Sequence, residues 1–282
     1  MITGAPGWPQ EYMPWTLAQG PDGSIGFSRH RLPLVPTGLA THGRSAVAAA
    51  QALSRTSPAG APPRRYCDRV EFQGWPAEAL EFYEGLVADN SRAYWQAHRQ
   101  VYERDVLAPM LALLAELEPE FGPGKVFRPY RDVRFSADKS PYKTAIAATV
   151  EAGGYIQLSA QGLGCGNGMY MMAPDQLTRY RRAVDDDVIG EQLRRLIDRT
   201  ARDGITIGGH DMLKTAPRGY RRDHPRIELL RYKGLVAWKQ WPVAPWLGTA
   251  AAKDRVVGFL RDTAPLNDWL ADHVGPSTAE PP

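Results

Sequence analysis

The 282-residue chain is poor in the residues that carry familiar chemistries. It has two cysteines, Cys67 and Cys165, and no Cys-x-x-Cys pair. That excludes a disulfide framework and a thiol redox motif, and it points to a reducing, cytoplasmic compartment. No run of about 18 apolar residues occurs, so no membrane-spanning helix is expected. The opening "MITGAPGWPQEYMPW" lacks the basic start and apolar stretch of a signal peptide. Six histidines are scattered along the chain, which leaves a histidine-rich metal site without support and no metal expected. There is no Gly-x-Ser-x-Gly elbow, no Walker sequence and no His-Glu-x-x-His. "GPGK" at 122–125 lacks the rest of a phosphate loop. Which cofactor the chain uses, if any, stays unknown.

A net charge of +3 invites a polyanion partner, but its distribution does not. Residues 1–66 hold six arginines against Glu11 and Asp22, a surplus of +4, so the remainder of the chain carries −1. The segment up to Arg65 has no lysine, is rich in Gly, Pro, Ser and Ala, and shows no sustained period. It buries too little to offset its ordering entropy. Residues 1–66 therefore read as a poorly ordered extension, or as non-native sequence translated from a misplaced start codon. A short docked hairpin in "QEYMPWTLAQGPDGSIGF" is a further reading.

From Phe72 the texture changes. Pro76 suits a first helical position, with Leu80, Tyr83, Leu86 and Val87 following at helical spacing. Asn90 or Ser91 can cap a second helix whose stripe is Tyr94, Trp95, His98, Val101 and Tyr102. On that stripe His98 reads as a hydrogen-bonded core residue rather than a ligand. Pro109 should break or kink this helix, and "PMLALLAELEPEF" continues as the next segment. Further helices are expected over 175–184, 189–201 and about 246–274, the last divided near Pro265. Strand-like pieces are Thr144–Val150 and Tyr155–Ala160, joined by the turn "EAGG", then "GLGCGNGMYMM", "GITIGG" and "GLVAWKQW". Consecutive strands with short turns imply an α+β fold: an antiparallel sheet flanked by helices, in one domain over 67–275, with 276–282 a disordered tail.

Glycine occupies 162, 164, 166 and 168. On a strand these share one face, which would be bare of side chains. Either a helix or aromatic ring packs closely there, or a ligand approaches the backbone. The spacing is not a dinucleotide fingerprint.

Two stretches carry chemistry. "FRPYRDVRFSADKSPYK" has Arg128, Arg131, Arg134, Lys139 and Lys143 among Asp132 and Asp138. In extended conformation Arg128, Asp132 and Arg134 share one face; Arg131, Val133 and Phe135 share the other. Pro129 and Pro141 forbid a continuous helix, so the cations belong to an extended piece and a loop. Arginine forks suit phosphate or carboxylate, and Phe127 or the tyrosines can flank a planar ligand. The alternative is an ion-pair network pinning the loop. Asp132 and Asp138 are weak catalytic candidates, since a carboxylate among cations has a lowered pKa. The second stretch is "LKTAPRGYRRDHPRIELLRYKGL". It clusters Lys214, Arg218, Arg221, Arg222 and His224 before a short helix, either as an anion site or as a solvated turn. His224 is a third catalytic candidate.

Arg128, Arg131, Asp132, Arg134, Phe135, Asp138, Lys139 and Tyr142 fit the pattern Arg-x-x-Arg-Asp-x-Arg-Phe-x-x-x-Asp/Asn-Lys-x-x-Tyr. In this the chain resembles the bacterial domain of unknown function 2461 family. The resemblance runs from Phe72 to Val274: "FQGWPAEALEFYEGLVADNSRAYWQAHRQVYE" resembles the family's opening, with Trp75 where a Phe is expected. "APRGYRRDHPRIELLRYKGLVAW" resembles its second motif and "APLNDWLADHV" its end. The resemblance implies one domain from about residue 70 and supplies no activity. The residues themselves point to a site for a small phosphate- or carboxylate-bearing anion on Arg128, Arg131, Arg134, Lys139, Tyr142 and Lys143, with Lys214 and His224 added from the second motif. A structural ion-pair network in a protein-interaction module and a nucleic-acid-binding module are the alternatives, the last opposed by the charge balance. Whether the chain is an enzyme, and how it assembles, stays open.

Overall fold

A computed structural model of the chain describes residues 71–134 and 138–278. The expected extension over 1–66 and residues 279–282 lie outside the described residues. The fold is α+β. Six strands form one antiparallel sheet in the order β1–β2–β3–β4–β6–β5: Gly124–Val126, Ala145–Val150, Gly154–Ser159, Gly162–Met169, Leu235–Trp241 and Thr206–Gly208. The turn 151–154 closes the β2–β3 hairpin as expected. β1 was not foreseen: three residues are too few to alternate.

Helix α1 (Ala77–Ala88) starts one residue after Pro76, which takes the cap position and not the first turn. Its buried side, Ala79, Phe82, Tyr83 and Leu86, enters the core. Helix α2 (Arg92–Val101) is capped by Ser91, whose Oγ accepts from Tyr94 N–H at 3.1 Å. The break expected at Pro109 does not occur. A π-helical turn over Tyr102–Leu107 leads straight into α3 (Ala108–Phe121). Proline offers no N–H and crowds the carbonyl four residues back. Here the wider turn lets Ala108 N–H bond the Glu103 carbonyl five residues back, and Pro109 falls in the first turn of α3.

Pro265 likewise fails to divide the last helix. α7 runs unbroken from Ala251 to His273, and the interruption lies earlier, after a 3-10 turn at Pro245–Gly248. Buried Phe259, Leu260 and Thr263 before the proline, and Leu266, Trp269 and Leu270 after it, hold both halves against the core. Packing here outweighs the one backbone bond that proline removes. A buried polar contact sets the helix on the sheet: Asn167 Nδ2 donates to Thr263 Oγ1 at 2.9 Å, and Asn267 Nδ2 donates to Asn167 Oδ1 at 2.7 Å.

Helices α4 (Pro174–Asp185) and α5 (Asp187–Ala201) complete that layer. One buried cluster runs from Phe72 to Val274 and includes Ile146, Ala148, Ile156, Leu158, Leu163, Cys165, Leu235 and Ala237 from one face of the sheet. The opposite face carries its own small cluster of Ala147, Tyr155 and Trp238, with Phe127 packed on it. Three residues assigned to a disordered tail are held on α4. Arg179 Nη2 donates to the Pro276 carbonyl, and Ser277 Oγ and Thr278 N–H donate to Asp175.

Candidate functional site

The signature segment is not one extended strand. It is a hairpin whose two arms, 127–131 and 141–143, prolong β1 and β2, with 132–134 and 138–140 described beyond them. Phe127 N–H donates to the Ala147 carbonyl, Lys143 N–H to Pro129 and Arg131 N–H to Pro141, all within 2.9 Å, and Tyr130 bridges Tyr142. Asn90 staples the returning arm. Its Oδ1 accepts from Tyr142 N–H and its Nδ2 donates to the Tyr142 carbonyl, both at 3.0 Å. The Tyr142 ring stacks on Trp95 and is buried. Tyr142, expected to contact ligand, is thus a core residue.

At the tip the arginines have carboxylate partners. Arg134 grips Asp132 through two parallel bonds, Nε to Oδ1 at 3.0 Å and Nη2 to Oδ2 at 2.7 Å. Arg131 Nη1 bonds Asp138 Oδ2. Lys139 Nζ donates to the Val133 carbonyl at 3.0 Å. Hydrogen bonds from the Arg134 side chain and backbone hold the Asp132 carboxyl down at about 2. The Ser140 hydroxyl and backbone N–H, then Arg131, push Asp138 well below the usual carboxylate range. Both stay ionised at neutral pH with their oxygens occupied, which is the wrong state for a general acid.

At the base of the hairpin the arrangement differs. Arg128 precedes Pro129, the residue paired with Lys143, and its charge reaches the Lys143 ammonium. Among the described residues neither forms an ion pair, and the Arg128 charge also helps to lower the Asp132 carboxyl. Lys143 Nζ lies 5.4 Å from the centre of the Phe127 ring. Burial, and then the nearby Arg128 charge, push its pKa below the ordinary lysine value.

Phe127 leads onto the sheet face opposite the helices. Its ring centre is 6.4 Å from that of Tyr155, which is 6.2 Å from Trp238. The glycines of β4 divide into two kinds. Gly162 and Gly168 adopt φ of 107° and 126°, where a side chain would strike the Trp241 or Leu235 carbonyl. Gly164 and Gly166 leave room for the Trp238 ring, which lies over both. Of the two readings of the bare face, the packed ring is the one realised.

A family model described as "Conserved hypothetical protein (DUF2461)" matches residues 78–269, from the first turn of α1 into α7 and across the whole hairpin. The chain belongs to the DUF2461 family. No curated protein and no solved structure gives a significant match. Among the described residues, no helix is long and apolar enough to cross a membrane.

The second charged motif of this DUF2461 chain stands away from the first. The hairpin leaves the sheet edge formed by β1 and β2, at the end where Ala145, Ser159, Gly162 and Trp241 lie. The stretch with Lys214 and His224 joins β5 to β6 on the other edge, at the end where Leu235 and Met169 lie. Lys214 and His224 are therefore not brought together with Arg128 and Lys143. His224 Nε2 is 3.2 Å from Asp185 Oδ1, and its Nδ1 accepts from Arg226 N–H. Arg226, not singled out in the sequence, is buried and donates to the Val184, Asp185 and Asp186 carbonyls and to Asp187 Oδ1. The motif thus caps the end of α4, with α6 (Ile227–Arg231) following it.

Sequence reasoning also passed over Tyr155, Gln157 and Gln240. All three sit inside stretches read only as strands. The signal available was a single glutamine in each of two largely apolar strands, on the face the glycines share.

Proposed function

We propose that the protein binds a small phosphate- or carboxylate-bearing anion at the base of the signature hairpin, between Arg128 and Lys143. One observation carries this reading: two cations that feel each other's charge, one of them half-buried, neither of them in an ion pair. Keeping like charges together in a partly desolvated place is unfavourable, and an anion removes that penalty. Arg131, Arg134 and Lys139 shape the loop that holds the pair in place. Tyr142 supports it from the core. Lys214 and His224 take no part.

The test is thermal shift with inorganic phosphate, pyrophosphate, sugar phosphates and organic acids. Stabilisation is expected with at least one anion and is lost in Lys143→Met and Arg128→Gln. Without ligand, Lys143→Met should melt no lower than the native chain, because the lysine sits where its charge is disfavoured. Stabilisation that survives both substitutions removes the proposal.

The paired tip favours a second reading, in which the whole signature is a structural network for protein interaction. It predicts that Arg131→Ala and Asp138→Ala each lower the melting temperature, that the double variant costs less than their sum, and that no anion shifts any of them. The nucleic-acid reading is weakened because Tyr142, one of its rings, is consumed by Trp95.

A further inference from the structure

Helices cover one face of the sheet, and the other face is just as dry. By register Ala147, Tyr155, Gln157 and Trp238 share that second face, with Gly164 and Gly166 between them. Each of the four is at most 7% exposed. Yet the cluster on this side consists of Ala147, Tyr155 and Trp238 with Phe127 packed on them, and among the described residues no helix contributes to it. The Trp238 ring rests one side on the β4 backbone: its carbons lie 2.9 Å from a Cβ placed on Gly164 and 3.2 Å from one placed on Gly166. A ring laid on a sheet turns its other side away from the strands. With 7% exposure, that outward side is also out of water, so further chain lies over it.

Three stretches fall outside the described residues: 1–70, 135–137 and 279–282. The face spans four neighbouring strands from β2 to β6, about 14 Å across. Three residues reach at most about 10 Å. Residues 279–282 follow Thr278, which is tied to Asp175 of α4 on the helical side. That leaves the stretch before Glu71. Its aromatic residues are concentrated at the start: Trp8, Tyr12, Trp15 and Phe27 precede residue 28, and only Tyr66 follows up to that point. Charge separates the two parts as well. Residues 1–27 hold Glu11 and Asp22 and no lysine or arginine, whereas 28–66 hold six arginines. The face is rimmed by cations, Lys125 on β1 and Lys143 beside Phe127, which repel the second part and tolerate the first.

We infer that residues 1–27 of the same chain dock on the Tyr155–Trp238 face of the sheet, through their aromatic side chains. Residues 28–70 are the tether, long enough to lead from Glu71 round the sheet edge. Tethering makes the docking intramolecular, so a modest affinity suffices. The inference goes beyond the anion reading and does not rest on it.

Photo-cross-linking in the full chain tests it. Phe127→p-benzoylphenylalanine puts the reactive group at the rim of the face. Cross-links should map to residues 1–27 and, in a mixture of isotopically labelled and unlabelled chains, should join residues of one chain. Hydroxyl-radical footprinting gives a second readout. Replacing Trp8→Ser and Trp15→Ser together should raise oxidation of Trp238 and Tyr155 several-fold, while Trp75, buried in the helical core, stays protected. Cross-links that map to 28–70 or to another protein overturn the inference. Cross-links that join only separate copies assign the face to a second chain and overturn it too. So does a Trp238 that is as protected in the double variant as in the native chain.

Discussion

Tyr142 lies flat on Trp95, with ring centres 4.4 Å apart and planes 6° from parallel. One ring comes from the charged signature and the other from the stripe of α2. Through this contact and the Asn90 staple, the helical layer fixes where the hairpin stands.

Asn90→Ala should therefore loosen the hairpin selectively. Two bonds to the Tyr142 backbone are lost, for about 1–2 kcal/mol of stability by denaturant titration. Hydrogen exchange should rise at Arg131 and Lys143 and stay unchanged in β3 and β4. Uniform change across the sheet would show that the staple does not act locally.

The Asp132 carboxyl gives a pH signature. Its folded pKa is depressed to about 2. The unfolded value is about 3.9. Its contribution to stability is therefore present above about pH 4 and is lost as the pH falls towards 2. A carboxyl NMR titration should place the midpoint near 2 and move it upward in Arg134→Gln. A native midpoint near 4 would mean that the fork on Asp132 does not persist in solution.

Removing the buried guanidinium of Arg226 should be costly. Arg226→Met leaves the last carbonyls of α4 without their donor, for about 2–3 kcal/mol in chemical denaturation. Arg226→Lys should recover little, since an ammonium cannot span the carbonyls that the fork reaches. Anion binding at Lys143, on the far corner, should be unaffected.

Thr263→Val tests the seating of α7. The valine preserves shape and removes the hydroxyl that accepts from Asn167, leaving an amide donor buried. A loss of about 1–3 kcal/mol is expected, with the double change Asn167→Ala and Thr263→Val costing less than the sum of its parts.

The α+β class and the antiparallel sheet were legible because they rest on local signals: helical stripes before Phe121, and two strands around "EAGG". The proline positions misled. At Pro109 a π-helical turn absorbs the proline, and at Pro265 side-chain packing from distant elements decides; neither is contained in the local rules. The bare glycine face was legible as bare, but its occupant, Trp238, lies some seventy residues downstream on β6. The two cation-rich stretches look alike as text. Only strand order reveals that one ends at the β1–β2 edge and the other serves as a cap for α4. The distinction within the signature was also hidden. Arg131 and Arg134 form ion pairs with Asp138 and Asp132 of the same segment, whereas Arg128 and Lys143 form none.

The two left-handed glycines of β4 stand six positions apart, at 162 and 168. A slide of the strand by two residues would keep its apolar side facing the helices, so burial alone does not forbid it. Such a slide in one direction would put Tyr170 where Gly168 sits, and in the other Ala160 where Gly162 sits. A single-step slide would bring Leu163 or Gln161 to the first of these places. Every misalignment thus forces a side chain into a backbone conformation that disfavours it. β4 carries its own ruler, and the same two marks that align the strand hold Gln157 and Gln240 opposite each other across Gly164.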